Sequence, residues 1–159
     1  MTTATVDSQQ SQLVNAFAES TLHVFSTIMG AEIELADCCT LGKFQTANDL
    51  SGMVGFSGEI TGTVIVRLDQ QIAIAMAEVL LGQTIQSEDD DVRDMAGEIA
   101  SQIAGNAKNR LTEKSVTLSL PTIITGPGHR ISFEPGAQVQ RLCFQSQWGP
   151  LCVELGFRV

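Results

Sequence analysis

The stretch MVGFSGEITGTVIVRL, residues 53–68, restricts the fold more than any other part of the chain. Two apolar runs flank a short segment near Gly58 to Gly62, and the second run is rich in β-branched residues. This pattern is typical of two strands joined by a tight turn. Strands joined by a tight turn pair antiparallel, so we expect an antiparallel sheet.

Three other segments have the apolar spacing of amphipathic helices, and they run from about Ser11 to Gly30, from Asp69 to Gly82 and from about Ser87 to Leu111. Asp69 is a candidate N-cap of the second helix, and Gly82 is its candidate C-terminal stop. Ser87 is the candidate N-cap of the third helix. The second helix is expected to bury Ile72, Ala75, Met76, Val79 and Leu80.

The remaining apolar segments favour further strands. AEIELADCC, residues 31–39, alternates polar and apolar residues, and residues 138–159 predict two strands about a turn at QWGP. Pro121 interrupts residues 116–128 and limits that segment to an edge, a bulge or a strand end. Together, the predicted helices and strands indicate an α+β fold, an antiparallel β-sheet with amphipathic helices on its faces. We expect a flexible N-terminus over residues 1–8 and a single domain over residues 9–159.

Charge and hydropathy exclude several classes of function. The 159 residues carry a formal net charge of −9, which opposes binding to nucleic acid or to an anionic membrane surface. The longest apolar runs fall short of the roughly 20 residues that span a bilayer. The polar N-terminus also lacks the pattern of an export signal, so we expect a cytoplasmic protein.

The cysteines do not form a recognisable metal or redox motif. They are Cys38, Cys39, Cys143 and Cys152. No Cys-x-x-Cys pair occurs, and the two histidines, His23 and His129, lie in a helical stretch and in a turn. Reduced cysteines in the core are therefore favoured over a zinc site, and no cofactor or metal is expected in this chain.

The third helix has a polar side that its packing does not require. At about 100° per residue, Asp94, Glu98, Ser101, Gly105 and Asn109 lie opposite the predicted apolar stripe. That stripe comprises Val92, Met95, Ala96, Ile99, Ala100, Ile103 and Ala107. Gln102 lies one turn beyond Glu98, within reach of its side chain. Asn106 lies at the edge of the stripe, where its amide is expected to satisfy buried backbone groups. A solvated surface without function is the alternative interpretation of this side.

The sequence GEIASQIAGNAKNRL, followed by LSLPTIITG, resembles the CheX branch of the CheC/CheX/FliY family of chemotaxis phosphatases. That family has Asp or Ser, then Glu four positions on, a working Asn three positions after the Glu, a Gly-Asn-Ala-Lys-like continuation and a later Pro. The matching positions are Asp94, Glu98, Gly105, Asn106, Ala107, Lys108 and Pro121. The order of the elements also agrees from about residue 10 onward. The resemblance implies a CheC-like α/β sandwich and a homodimer through edge strands.

The resemblance also implies roles for the polar side chains. In the family, the Glu forms an ion pair with a lysine of a phosphorylated response regulator, and the Asn orients a water molecule towards the aspartyl phosphate. Glu98 matches the Glu, but Ser101 stands where the family has Asn. Gln102 offers the missing amide one position further on. Glu98, Ser101 and Gln102 are thus the candidate catalytic residues, and Asp94, Glu98 and Asn109 the candidate contacts to a partner.

Three functions follow from the resemblance. The first is a phosphatase for the aspartyl phosphate of a CheY-like receiver, which would supply the Mg²⁺ from its own site. The second is a non-catalytic module that docks a receiver or a flagellar-switch component, because Ser101 replaces the family's Asn. The third is a structural subunit of a flagellar switch, whose assembly would not depend on phosphorylation.

Overall fold

The computed structural model describes residues 2–36, 50–112 and 114–158, with the backbone alone for residues 2–8. Its helices are α1 (Thr2–Ile28), α2 (Gln70–Leu81) and α3 (Asp90–Arg110). Its strands are β1 (Glu34–Ala36), β2 (Leu50–Gly58), β3 (Thr61–Leu68), β4 (Val116–Leu118), β5 (Thr122–Thr125), β6 (Gln138–Ser146) and β7 (Gly149–Arg158). These elements confirm the predicted α+β fold.

All strand pairs in the described residues are antiparallel, in the order β1-β6-β7-β3-β2-β4, and β5 also pairs with β2. The predicted hairpin is present as β2 and β3, and the predicted turn at QWGP joins β6 to β7. Pro121 lies between β4 and β5, at the edge of the sheet as expected. Of the predicted strand segment at residues 31–39, only residues 31–36 can be compared with the structure, because residues 37–49 lie outside the described residues.

Helices α1 and α3 pack on the sheet face that carries Gly52 and Phe56. A Cβ atom on Gly52 would lie 2.6 Å from the carbonyl oxygen of Ala96, so α3 lies directly on the backbone of β2. On the same face, the rings of Phe17 and Phe56 join α1 to β2 with centroids 5.6 Å apart. This layer buries the apolar stripe of each helix and fixes where the polar side of α3 faces.

Both predicted caps of α2 are present, but its predicted buried stripe is partly wrong. Asp69 Oδ1 accepts a hydrogen bond from the Ile72 amide at 2.8 Å, and Gly82 ends the helix with a φ of 65°. The buried residues are Ile72, Ala73, Met76 and Ala77, whereas Val79 is 50% exposed. Apolar residues lie all around α2, so periodicity leaves its rotation open, and packing against α3 and Gly149 decides it.

The starts of α1 and α3 differ from the sequence prediction. Asp89, rather than Ser87, is the N-cap of α3, and its Oδ1 accepts from the Val92 amide at 3.1 Å. Serine and aspartate are similarly favourable N-cap residues, so the sequence alone did not show which of the two positions caps the helix. Helix α1 begins at Thr2, earlier than the expected Ser11. The flexibility of residues 1–8 stays a prediction.

Residues 126–137 lie over the sheet face opposite the helices. His129 Nδ1 donates to the carbonyl of Gly126 at 2.8 Å, and its Nε2 is hydrogen-bonded to the buried Ser51 hydroxyl at 2.7 Å. Beside this pair, a buried ion pair joins Arg67 to Glu154. Arg67 also donates to the carbonyl of Ile131 at 3.5 Å. Polar groups of the strands thus hold this segment in place.

The prediction of reduced cysteines is wrong for Cys143, which is disulfide-bonded. Cys38 and Cys39 lie outside the described residues. Cys152, in contrast, is buried and free, as expected. The two positions are cross-strand neighbours in β6 and β7, and both are buried. An apolar strand pattern therefore predicts the burial of a cysteine but not its oxidation state.

The Cys152 thiol should resist alkylation in the folded protein. Burial, followed by the negative charge of Glu154, raises its pKa from 9.0 to about 12. The thiol therefore stays protonated in the folded state, and its contribution to stability is lost as the pH rises from 9 towards 12. We expect iodoacetamide at pH 8 to label Cys152 only after denaturation, as measured by peptide mass mapping. Equal labelling of the folded protein would contradict the structure.

Candidate functional site

The polar side of α3 is the candidate site, and its position follows from the buried side of the same helix. All seven residues of the predicted apolar stripe are buried, namely Val92, Met95, Ala96, Ile99, Ala100, Ile103 and Ala107. Ser20 of α1 donates from its hydroxyl to the carbonyl of Ile103 at 2.5 Å. With the sheet below and α1 beside it, α3 can present only its remaining side to a partner.

Glu98 and Gln102 form a hydrogen-bonded pair on this exposed side. Gln102 Nε2 donates to Glu98 Oε1 at 2.8 Å, as their spacing of four residues allows. Both residues are exposed. In the described part of the chain, no Lys, Arg or His side chain forms an ion pair with Glu98. The carboxylate is thus oriented by an amide while its charge remains available to a cation from outside.

The other predicted site residues lie at different distances from this pair. Asp94 is exposed one turn before Glu98, and Ser101 is half-buried beside it. Asn109 is also exposed, but eleven residues of helix place it roughly 16 Å from Glu98 along the axis. The helix therefore brings together Asp94, Glu98, Ser101 and Gln102, while Asn109 lies at its far end.

The prediction for Asn106 is wrong. Its Oδ1 accepts from Arg110 Nε at 2.8 Å, in an exposed hydrogen bond rather than a bond to buried backbone. Arg110 also forms a 3.0 Å ion pair with Glu19 of α1. The spacing of four residues between Asn106 and Arg110 was a signal for this contact that the sequence analysis missed. The three side chains fasten the end of α3 to α1.

The loop between β4 and β5 borders the candidate site. A Cβ atom on Gly97 would lie 3.1 Å from Cδ1 of Ile123 in β5 and 3.6 Å from Cβ of Pro121 in the loop, so glycine lets both lie close against α3. Gly97 directly precedes Glu98, and Ser101 lies one turn further on. Neither Gly97 nor its contact with Pro121 was anticipated from the sequence, because no local pattern reports which loop packs against a helix.

The arrangement offers hydrogen-bonding groups that can orient a small molecule such as water. A carboxylate accepts, while an amide and a hydroxyl each donate and accept. Among the described residues, no three His, Cys, Asp or Glu side chains come together as a metal site. In the same part of the chain, no helix is long and apolar enough to cross a membrane.

Comparison with known proteins identifies the family. A family model described as Chemotaxis phosphatase CheX matches residues 50–145, which is more than half of the chain. The chain belongs to the CheX family. The match includes the whole of α3 and the loop that borders it.

Individual relatives agree with this assignment. The protein named CheY-P phosphatase CheX from Thermotoga maritima is 23% identical over 118 residues, which cover 72% of this chain and 76% of that protein. The crystal structure of chemotaxis protein CheX from Vibrio vulnificus has a TM-score of 0.82 at 27% identity, covering 92% of this chain and 96% of that one.

A third relative was solved as a complex. The crystal structure of the CheX-CheY-BeF3-Mg²⁺ complex from Borrelia burgdorferi contains a chain with a TM-score of 0.76 at 20% identity. The match covers 92% of this chain and 97% of that one. At this identity the likeness shows a shared fold.

Proposed function

We propose that this CheX-family chain hydrolyses the aspartyl phosphate of a CheY-like receiver. The observation that carries the proposal is the carboxylate of Glu98, which is exposed, oriented by Gln102 and unpaired with any cation of the described chain. Such a group suits a lysine beside the phosphoryl group of a partner. The relative solved with CheY, BeF3 and Mg²⁺, and the relative named as a CheY-P phosphatase, support the choice of partner.

The reaction requires few catalytic groups from the phosphatase itself. An aspartyl phosphate is an activated acyl phosphate, and the receiver is expected to provide the Mg²⁺ and the lysine. Glu98 would fix the receiver on α3 by pairing with that lysine. Ser101 or Gln102 would then hold a water in line with the phosphorus atom, and Asp94 and Asn109 would frame the contact. Positioning of this kind contributes mainly by making the attack effectively intramolecular.

Ser101 favours a second candidate function, a non-catalytic module that docks a receiver or a flagellar-switch component. The serine side chain is shorter than that of the family's asparagine, and it is half-buried against the helix surface. Its hydroxyl therefore reaches less far towards a phosphoryl group bound in a partner. Gln102 has the longer amide, but one of its donors is already engaged by Glu98. A module of this kind would form the complex without accelerating loss of the phosphate.

Replacing Ser101 with asparagine should raise the turnover of receiver dephosphorylation at least roughly tenfold, because the longer amide reaches the attacking water. The measurement is phosphate release from CheY-like receivers loaded with acetyl phosphate. Ser26→Asn, at an exposed position of α1, is the matched control and should leave the rate unchanged. If Ser101→Asn has no effect and the variant binds no receiver, the proposed function is wrong.

The proposal extends to assembly and location. In the described residues, β1 forms one edge of the sheet, and β4 and β5 form the other. An open strand edge can pair with a second copy, so we expect a homodimer built through such an edge. Analytical ultracentrifugation of the full chain would test it. We also propose a cytoplasmic location, which a receiver partner of this kind would require.

A further inference from the structure

Leu120 belongs to the loop that borders the candidate site, and its side chain is almost fully exposed. Its exposed fraction is 88%, against 55% for Leu35 and 54% for Val139, the next most exposed large apolar residues in the described chain. Leaving a leucine in water forgoes the stabilisation that burial would give. Single exposed apolar residues are common on protein surfaces, so exposure alone does not define a contact. The fixed backbone of Leu120 and its location in the loop next to α3 provide the further evidence.

The backbone that carries Leu120 is held firmly. Ser119 exchanges two hydrogen bonds with Gly55 of β2: its amide donates to the Gly55 carbonyl at 2.8 Å, and its hydroxyl accepts from the Gly55 amide at 2.8 Å. The same hydroxyl donates to the carbonyl of Leu120 at 2.9 Å. Pro121, which follows, confines Leu120 to an extended backbone. A side chain on a fixed backbone loses little freedom when a partner covers it.

The position of Leu120 connects it to α3. A Cβ atom on Gly97, the residue before Glu98, would lie 3.6 Å from Pro121 Cβ, so the loop that carries Leu120 lies close against α3 at the candidate site. A protein that covers Glu98 and Ser101 therefore also meets the loop. The loop thus brings an exposed apolar side chain to the border of an acidic surface, and protein interfaces commonly combine apolar anchors with a charged rim.

We propose that Leu120 is an apolar contact that determines affinity for the receiver, packing against an apolar surface beside the receiver's phosphorylation site. This inference rests on the proposed function, since it names a further contact of the same complex. Leu120 touches no reacting group in this assignment. Its loss should raise KM, whereas the loss of a water-positioning group should lower kcat.

Leu120→Ser tests the inference, with Val139→Ser as the matched control and Leu120→Met as the conservative variant. KM and kcat are measured with acetyl phosphate-loaded CheY-like receivers, and Kd with the same receivers loaded with BeF3 and Mg²⁺. We expect Leu120→Ser to raise KM and Kd roughly tenfold. Val139→Ser and Leu120→Met should both stay near the wild-type values, and thermal unfolding should confirm that every variant is folded.

The outcomes separate this inference from the proposed function. If the wild-type chain dephosphorylates a receiver and Leu120→Ser behaves like Val139→Ser, the inference fails and the proposed function stands. If Leu120→Ser changes self-association but not the receiver KM, Leu120 contacts a second copy and the inference also fails. If the wild-type chain neither binds nor dephosphorylates any receiver, both are wrong.

Discussion

Replacing Glu98 with glutamine should lower kcat/KM for receiver dephosphorylation about a hundredfold, which corresponds to roughly 3 kcal/mol. The glutamine keeps the size of the side chain but removes the charge that would pair with the receiver's lysine. Because that lysine would remain covered and unpaired in the complex, the loss exceeds that of an ordinary surface ion pair. The measurement is phosphate release at receiver concentrations below KM.

Glu32→Gln is the matched control for this experiment. Glu32 is exposed in the segment between α1 and β1, and its replacement changes the net charge by the same amount. We expect its kcat/KM to stay within about twofold of wild type, because exposed charges away from a contact are largely screened. Equal activity of Glu98→Gln and Glu32→Gln would show that Glu98 does not hold the receiver.

Replacing Gly52 with valine should lower the free energy of unfolding by about 3 kcal/mol. The first added carbon would lie 2.6 Å from the carbonyl oxygen of Ala96 and 3.1 Å from the side chain of Ala100. A backbone carbonyl in α3 cannot yield alone, so the whole helix would have to move away from β2. Urea unfolding followed by circular dichroism gives the free energy directly.

Gly105→Ala is the control for this substitution. Gly105 lies in the interior of α3, and a Cβ atom there would meet nothing within 4 Å. Alanine favours a helix over glycine, so the free energy of unfolding should rise by about 0.5 to 1 kcal/mol. A Gly52→Val protein as stable as wild type would mean that α3 does not lie on β2 as the structure has it.

Local sequence patterns predicted most of the fold because local physics decides those features. The β2–β3 hairpin follows from two apolar runs about a turn, and Asp69 and Gly82 cap α2 through their own side-chain and backbone preferences. The buried stripe of α3 was also predicted correctly, since polar residues on its other side leave only one rotation. In each case the decisive contacts lie close together in the sequence.

The features that the sequence did not predict depend on distant parts of the chain. The rotation of α2 is decided by α3 and Gly149, because its own residues are apolar on nearly every side. The disulfide state of Cys143 depends on a residue outside its strand. The spacing of apolar residues within α2 or within β6 determines neither property.

The candidate site likewise combines features that the sequence predicted with features that it did not. The exposed side of α3 and the Glu98–Gln102 pair follow from helical spacing, and the structure contains both. The proximity of Pro121 to Gly97 and the exposure of Leu120 depend on how the β4–β5 loop packs, which no spacing reports. The catalytic and binding roles of Asp94, Glu98, Ser101, Gln102 and Asn109 stay predictions.

Phosphate release from a loaded receiver, measured with the wild-type chain at a concentration far below that of the receiver, tests the central claim most directly. The account predicts that each molecule of the chain dephosphorylates many receiver molecules, and that release slows sharply when Glu98 is replaced with glutamine. Release at the receiver's own rate with the wild-type chain, for every CheY-like receiver of the same organism, would contradict it.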